Sequence, residues 1–218
     1  MRAAGSRPRL RDGWDDPPWS TAEVLEVGHF RPEGSSHRPR TQARLLHVAE
    51  GLCGLFRVED RHVLSVHTRF GDPVYRDSCV EIFLQPKPER GYLNFEMNAG
   101  GALRASHITD HRRTADGFAA FTNLPEEDGR LVEVRSSLPS VVRPEVTDPL
   151  GWELAFFVPK SLLEKYVGPI GPMSGEVWQA NLYKCGDGTS HPHWASWSPV
   201  DVLNFHLPHC FGTLRFEP

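Results

Sequence analysis

Residues 79–86 read CVEIFLQP, and a strict alternation runs through them. Successive side chains of an extended chain point to opposite faces. Val80, Ile82 and Leu84 therefore share one side, and Cys79, Glu81, Phe83 and Gln85 the other. GYLNFEMNA at 91–99 repeats the pattern after the turn residues KPER, with Leu93, Phe95 and Met97 opposed to Tyr92, Asn94, Glu96 and Asn98. Two such runs joined by a short polar turn make an antiparallel hairpin. A solvated outer sheet would account for the alternation by itself. The polar sides, however, mix Glu, Asn, Gln, Tyr and Phe rather than Lys, Glu and Thr, which suits a groove that exchanges hydrogen bonds with hydroxyl groups.

The same period extends outward from this hairpin. TQARLLHV (41–48) and GLFRVEDRHV (54–63) form a second pair around the turn signal AEGLC. GRLVEVRSSL (129–138), GWELAFFVP (151–159), EVWQANLYKC (176–185) and HCFGTLRFEP (209–218) add strands. SLLEKY (161–166) reads as a short helical turn with Ser161 at its N-cap. Eight to ten strands with one short helix predict an all-β protein, an antiparallel β-sandwich of two sheets with at most one or two short helices. Neither an internal repeat nor a break in composition divides the chain. Residues 1–218 are expected to form a single domain, with 1–18 a loosely attached lead-in that Trp14 and Trp19 pin to the body.

Composition narrows the function classes. The chain has 218 residues, with 19 Gly and 19 Pro, which favours strands and turns over a helical bundle. The net charge is −4, with Lys and Arg spread along the chain, so no nucleic-acid partner is expected. No apolar run approaches the length of a membrane span, and no membrane partner is expected. The first residues carry arginines without a following apolar stretch, so there is no secretory signal in them. The four cysteines, Cys53, Cys79, Cys185 and Cys210, are widely spaced and read as free buried thiols. A cytoplasmic location follows as an expectation.

The motifs, taken in order, resemble a known family. YRDSCVEIFLQP (75–86) resembles the D-S-V-E-I-F-x-x-P signature of family 9 carbohydrate-binding modules and their DOMON-like relatives. ARLLHVAEGLCGLFRVED (43–60) is similar to the family's first hairpin, YLNFEMNAGGAL (92–103) to its F-x-x-N-x-x-G strand, and GWELAFFVPKSLL (151–163) to its W-x-x-E-x-x-I-P segment. ANLYKC (180–185), WASWSP (194–199) and FHLPHCFGTLRF (205–216) complete the series. The resemblance covers about residues 19–218. It implies two packed antiparallel sheets and non-catalytic binding of a saccharide, with no cofactor.

What it implies for single residues follows the matched positions. The family's sugar-binding Glu falls on Glu81. Its two ring-sandwiching tryptophans fall on Tyr75 and near Phe205, and a late-strand amide falls on Asn181. An Arg of the family falls on Glu96, a reversal of charge. A pyranose offers apolar C–H faces to flat rings and hydroxyls to carboxylates and amides. Smaller rings in place of tryptophan imply weaker binding. Arg44 is the expected partner of Glu81, since a half-buried carboxylate needs one. Trp194, His193 and Lys184 are further candidates for ligand contact, because the loop 185–199 lies beside the strand that carries Asn181 and so borders the implied site.

The stretch CGDGTSHPHWASWSP (185–199) raises two other readings. It lacks the G-x-S-x-G elbow of a serine hydrolase. Cys185, His191, His193, His206, His209 and Cys210 are of zinc-binding type, but without a C-x-x-C spacing, so no metal is expected. A rim loop is preferred, stiffened by Pro192 and Pro199 and fastened by Trp194 and Trp197. A metal-dependent enzyme built on this His/Cys group and a ligand-free interaction domain remain the alternatives.

Overall fold

The computed structural model describes residues 1–115 and 117–218. The principal strands, in chain order, are β1 Arg40–Val48, β2 Gly51–Asp60, β3 Cys79–Gln85, β4 Tyr92–Asn98, β5 Leu103–Thr114, β6 Gly117–Asn123, β7 Glu133–Ser136, β8 Leu150–Pro159, β9 Val177–Cys185, β10 Trp194–Ser196 and β11 Gly212–Arg215. One sheet runs β1-β2-β8-β7, with Leu25–Glu26 on β1 and Arg2–Ala3 added parallel to it. The other runs β6-β5-β4-β3-β9-β10 and ends on His29–Phe30, while β11 pairs with the first half of β9. The result is the expected sandwich. Among the described residues the α-helices are Glu126–Gly129 and Lys160–Val167, and no helix is long and apolar enough to cross a membrane.

The core follows the alternation. Val80, Ile82 and Leu84 of β3, Leu93, Phe95 and Met97 of β4, and Trp178, Ala180 and Leu182 of β9 face Leu52, Phe56 and Val58 of β2 and Trp152, Leu154 and Phe156 of β8. Gly54 lies in register with Phe156 across β2 and β8, and its missing side chain makes room for that ring. A Cβ there would stand 2.1 Å from Phe156 Cζ. Overpacking of this kind costs about 1–3 kcal/mol. Gly54→Ala is expected to lower the denaturation midpoint accordingly. Gly151→Ala in β8, where a Cβ meets nothing within 4 Å, should leave it almost unchanged.

Four expectations need correction. Ser161 is not an N-cap, because its helix runs Lys160–Val167 with Pro159 at the cap. The segment AEGLC is not a turn, because β2 starts at Gly51 and pairs with Val48, leaving only Ala49 and Glu50 to reverse the chain. A hairpin of β5 and β6 occupies 103–123, where no strand is expected from sequence. Its first strand is polar on both sides beyond Ile108, and its second bunches Phe118, Ala119, Ala120 and Phe121 together without alternation, which hides the period. The lead-in is not loose either. Trp14 and Trp19 are buried against Leu46, Leu55 and Phe157 on the outer face of the first sheet, and Ala4 N–H donates to His47 O at 2.8 Å.

Candidate functional site

The polar sides of β3, β4 and β9 face away from the core but not into open water. Residues 200–211 cross over them, and Val200, Cys210 and Phe211 pack on Phe83, Tyr92, Ile108 and Tyr183. Where this roof ends, a cavity of about 440 Å³ opens. Glu81 and Glu96 lie on its floor, opposite one another in the β3–β4 register. Tyr75 enters from the one-turn 3-10 helix Val74–Arg76 that precedes β3. Phe205 enters from the roof, its ring stacked on Tyr183 at 4.0 Å, with the Tyr183 hydroxyl donating to Phe205 O at 2.8 Å. Trp194 stands at the start of β10 and donates its indole N–H to Asp187 Oδ1 at 2.7 Å.

Five of the nine ligand contacts expected from the sequence, Tyr75, Glu81, Glu96, Trp194 and Phe205, thus share one cavity. Four others do not reach it. Asn181 is fully buried and fastens the roof, with Nδ2 donating to Ser198 O and Oδ1 accepting from Ser198 N–H, both at 2.9 Å. Lys184 has the parity of Trp178 and Leu182, so its side chain points between the sheets. There Nζ lies 2.7 Å from Nε2 of His193, another of the four, and 3.4 Å from Asp60 Oδ2. Arg44 lies on the outer face of the opposite sheet, its guanidinium 4.3 Å from the Trp14 ring centre and donating to Trp14 O at 2.5 Å. The whole sandwich separates it from Glu81, whose contact is instead the Cys185 thiol, donating to Oε1 at 3.2 Å.

Residues missed in the sequence complete the walls. Asn94 shares the floor with Glu96 and donates to its Oε1 at 2.6 Å. Arg104, in register with Glu96 on β5, brings its Nε to 4.0 Å from Glu96 Oε2. It supplies a guanidinium beside the Glu96 carboxylate. Phe118, Phe121 and Arg113 come from the β5–β6 hairpin, with Arg113 stacked over Phe118 at 4.1 Å. The alternation in GYLNFEMNA is the available signal for Asn94; the hairpin offers none.

The floor is electrostatically unusual. Burial, and then the neighbouring Glu96 charge, push the Glu81 carboxyl well above the ordinary carboxylate range. Burial likewise pushes Glu96 up to about 7, against the pull of Arg104. Burial also raises Asp187. Two buried atoms at this floor, Glu96 Oε2 and Asn94 Oδ1, have no hydrogen-bond partner among the described residues. Both can accept from a hydroxyl group, and leaving such atoms unpaired is costly.

The late histidines and cysteines do not form one cluster. His206 belongs to the roof and lines the cavity, its Nδ1 2.8 Å from the Tyr92 hydroxyl, and burial lowers its pKa to about 3. His209 pairs with Asp201 at 2.8 Å. Cys185 meets Cys79 and Glu81, with three ligand-type atoms within 4.8 Å of one another. Contact with Cys79, and then burial, raise the Cys185 thiol, and burial raises Cys79 to about 11, so both present as S–H groups.

The chain is similar over its whole length to a candidate carbohydrate-binding protein of Bacteroides uniformis ATCC 8492, with 26% identity, coverage of 100% of this chain and 98% of that one, and a TM-score of 0.84. It shares its fold with a family 9 carbohydrate-binding module of Caldicellulosiruptor kristjanssonii solved with glucose, at 15% identity, 100% and 95% coverage and a TM-score of 0.65. A complex of a family 9 module from that organism with cellotriose aligns at 14% identity, 100% and 93% coverage and a TM-score of 0.68. No curated protein matches the sequence. The sequence profile of carbohydrate-binding family 9 matches residues 20–216, and the chain belongs to that family.

Proposed function

We propose that this chain binds a saccharide, without chemistry, in the cavity over Glu81 and Glu96. One observation carries the reading: a floor with buried acceptors that lack partners among the described residues, Glu96 Oε2 and Asn94 Oδ1, set among the rings of Tyr75, Trp194 and Phe205. Rings cover the C–H faces of a pyranose, and the acceptors take its hydroxyl protons. The glucose and cellotriose held by the C. kristjanssonii modules support a neutral glucan as the first ligand to test. Glycoside hydrolysis needs two carboxyl groups that flank the scissile bond. Glu81 and Glu96 are cross-strand neighbours on one floor and approach a ligand from the same side, which favours recognition over turnover.

Isothermal titration with glucose and cellotriose, followed by other mono- and oligosaccharides, tests this. Saturable heat is expected with at least one sugar. Tyr75 is the most exposed of the predicted aromatic walls, at 36%. Removing one stacked ring loses about 0.5–1.5 kcal/mol, so Tyr75→Ala should weaken the affinity by roughly 2- to 12-fold. No heat with any sugar, from folded protein, would overturn the proposal.

A further inference from the structure

Away from the cavity, four histidines from three segments converge at one end of the sandwich. His62 ends the turn after β2, His191 and His193 lie in the loop before β10, and His37 lies in the segment leading to β1. Ring centres are 3.7 Å apart for His62 and His191, 5.3 Å for His37 and His62, and 5.0 Å for His37 and His193. Glu145, from the short strand Val142–Val146, enters the same group, with Oε1 3.4 Å from His62 Nδ1.

We propose that His62, Glu145 and His191 bind a zinc ion and so tie three separate segments of the chain together. Each offers one ligand atom, and the three lie within 4.8 Å of one another. Zn–N bonds of about 2.0–2.1 Å and Zn–O bonds of about 2.0–2.2 Å place tetrahedral ligands roughly 3.3–3.5 Å apart. The His62–Glu145 separation of 3.4 Å already has that value. The Ser190 hydroxyl marks the point of convergence. Its oxygen is 2.9 Å from His191 Nδ1 and 3.3 Å from His62 Nδ1, and it bonds to Glu145 Oε1.

Binding needs one ring to turn out of the stack, because His62 and His191 lie within 21° of parallel and a ring nitrogen binds a metal in the plane of its ring. Other features favour a metal over a chance meeting of side chains. The Ser190 backbone N–H donates to Glu145 Oε2 at 2.8 Å and orients the carboxylate, as the outer partners of metal ligands do. His62 has φ of 60°, the one non-glycine residue in the left-handed region among those described. Strained backbone of this kind marks functional positions. The His62 and Glu145 side chains are 18% and 17% exposed, which leaves an ion a path from solvent. Two imidazoles and one carboxylate select zinc over calcium or magnesium, which prefer oxygen ligands. The loop that bears His191 also carries Asp187 into the cavity wall, so an ion here would brace one side of the sugar site from behind.

Full-length protein stripped with a chelator, then dialysed against ZnCl2, is expected to hold about one zinc per chain by elemental analysis and to melt at a higher temperature than the stripped protein. The double variant His62→Ala/His191→Ala, and separately Glu145→Gln, should lose both effects. His209→Ala, at the separate Asp201–His209–Cys210 group, should keep both. Should the variants fail to fold, Co2+ added to the unaltered protein provides the readout. A four-coordinate visible spectrum, with NMR shifts at the His62 and His191 ring nitrogens, is expected. The proposal is overturned by absence of zinc in the unaltered protein, by equal zinc in the folded double variant, by loss of zinc in His209→Ala, or by Co2+ that leaves the two rings unshifted.

Discussion

Replacing Lys184 with Ala is expected to destabilise the fold by about 3–5 kcal/mol, the usual cost of removing one partner of a buried ion pair. Lys184 is fully buried. Its ammonium donates to Cys185 O at 3.1 Å and to His193 Nε2 at 2.7 Å, and faces Asp60 at 3.4 Å. Asp60 ends β2 in the opposite sheet, so the pair bridges the two layers at one end of the sandwich. Burial alone would raise the Asp60 carboxyl. The Lys184 charge, and then the His37 hydrogen bond at 2.8 Å, outweigh it and hold Asp60 well below the ordinary carboxylate range. A carboxyl depressed in the folded state contributes stability above its unfolded pKa and loses it as pH falls through the folded value. In Lys184→Ala that contribution shrinks and Asp60 is left as a poorly compensated buried anion. The urea midpoint at pH 7 checks the loss. Lys184→Met with Asp60→Asn should recover part of it, because the charges leave together. Sugar affinity of the folded variant should stay near that of the unaltered protein, since Lys184 faces away from the cavity. A loss of affinity with unchanged stability would instead make Lys184 a ligand contact.

That variant separates what parity reveals from what it hides. Alternation in EVWQANLYKC puts Lys184 on the side of Trp178 and Leu182, and the structure keeps it there. A lysine on an apolar face looks like an error unless its counter-ion is known, and Asp60 lies 124 positions earlier, beyond the reach of any local pattern. Arg44 shows the same limit from the other direction. Its strand face is legible, but not which sheet that strand joins, so sequence alone pairs it with a carboxylate on the far side of the sandwich. Glu81 is legible because the motif order specifies its sheet as well as its face, and Tyr75 and Phe205 because the same order places them just before β3 and just before β11. Arg104, Arg113 and Phe118 are not, since the β5–β6 hairpin is half-exposed and its sequence beyond Ile108 lacks alternation. Alternation places Asn181 on the correct face, yet the loop that returns over it at Ser198 takes both ends of its amide. Sequence periodicity assigns a side chain to a surface; what covers that surface depends on contacts distant along the chain.

The carboxyl pair on the cavity floor gives the second large effect, through pH. Glu96 titrates at about 7 in the folded chain, raised chiefly by burial. An unfolded Glu titrates near 4.3. The folded state therefore binds more protons than the unfolded state between these values, and stability falls as pH rises through that window. Each tenfold gain in proton affinity corresponds to about 1.36 kcal/mol, so Glu96 alone accounts for roughly 3 kcal/mol between pH 4 and pH 8. Glu81, raised in the same direction, adds to the slope. Urea midpoints measured across this range should decline for the unaltered protein and decline distinctly less for Glu96→Gln, which has no proton to lose. Ligand binding should run the other way. Sugar hydroxyls donating to Glu96 Oε2 favour the ionised carboxylate, so they lower its pKa and release a proton on binding. Affinity for glucose or cellotriose is then expected to rise from pH 6 to pH 8 in the unaltered protein and to stay level in Glu96→Gln. If binding is indifferent to pH in both proteins while the stability slopes differ as stated, Glu96 is a buried acid that the sugar does not touch. If the stability slopes coincide as well, the floor is wetter than its geometry indicates, and recognition rests on the rings alone.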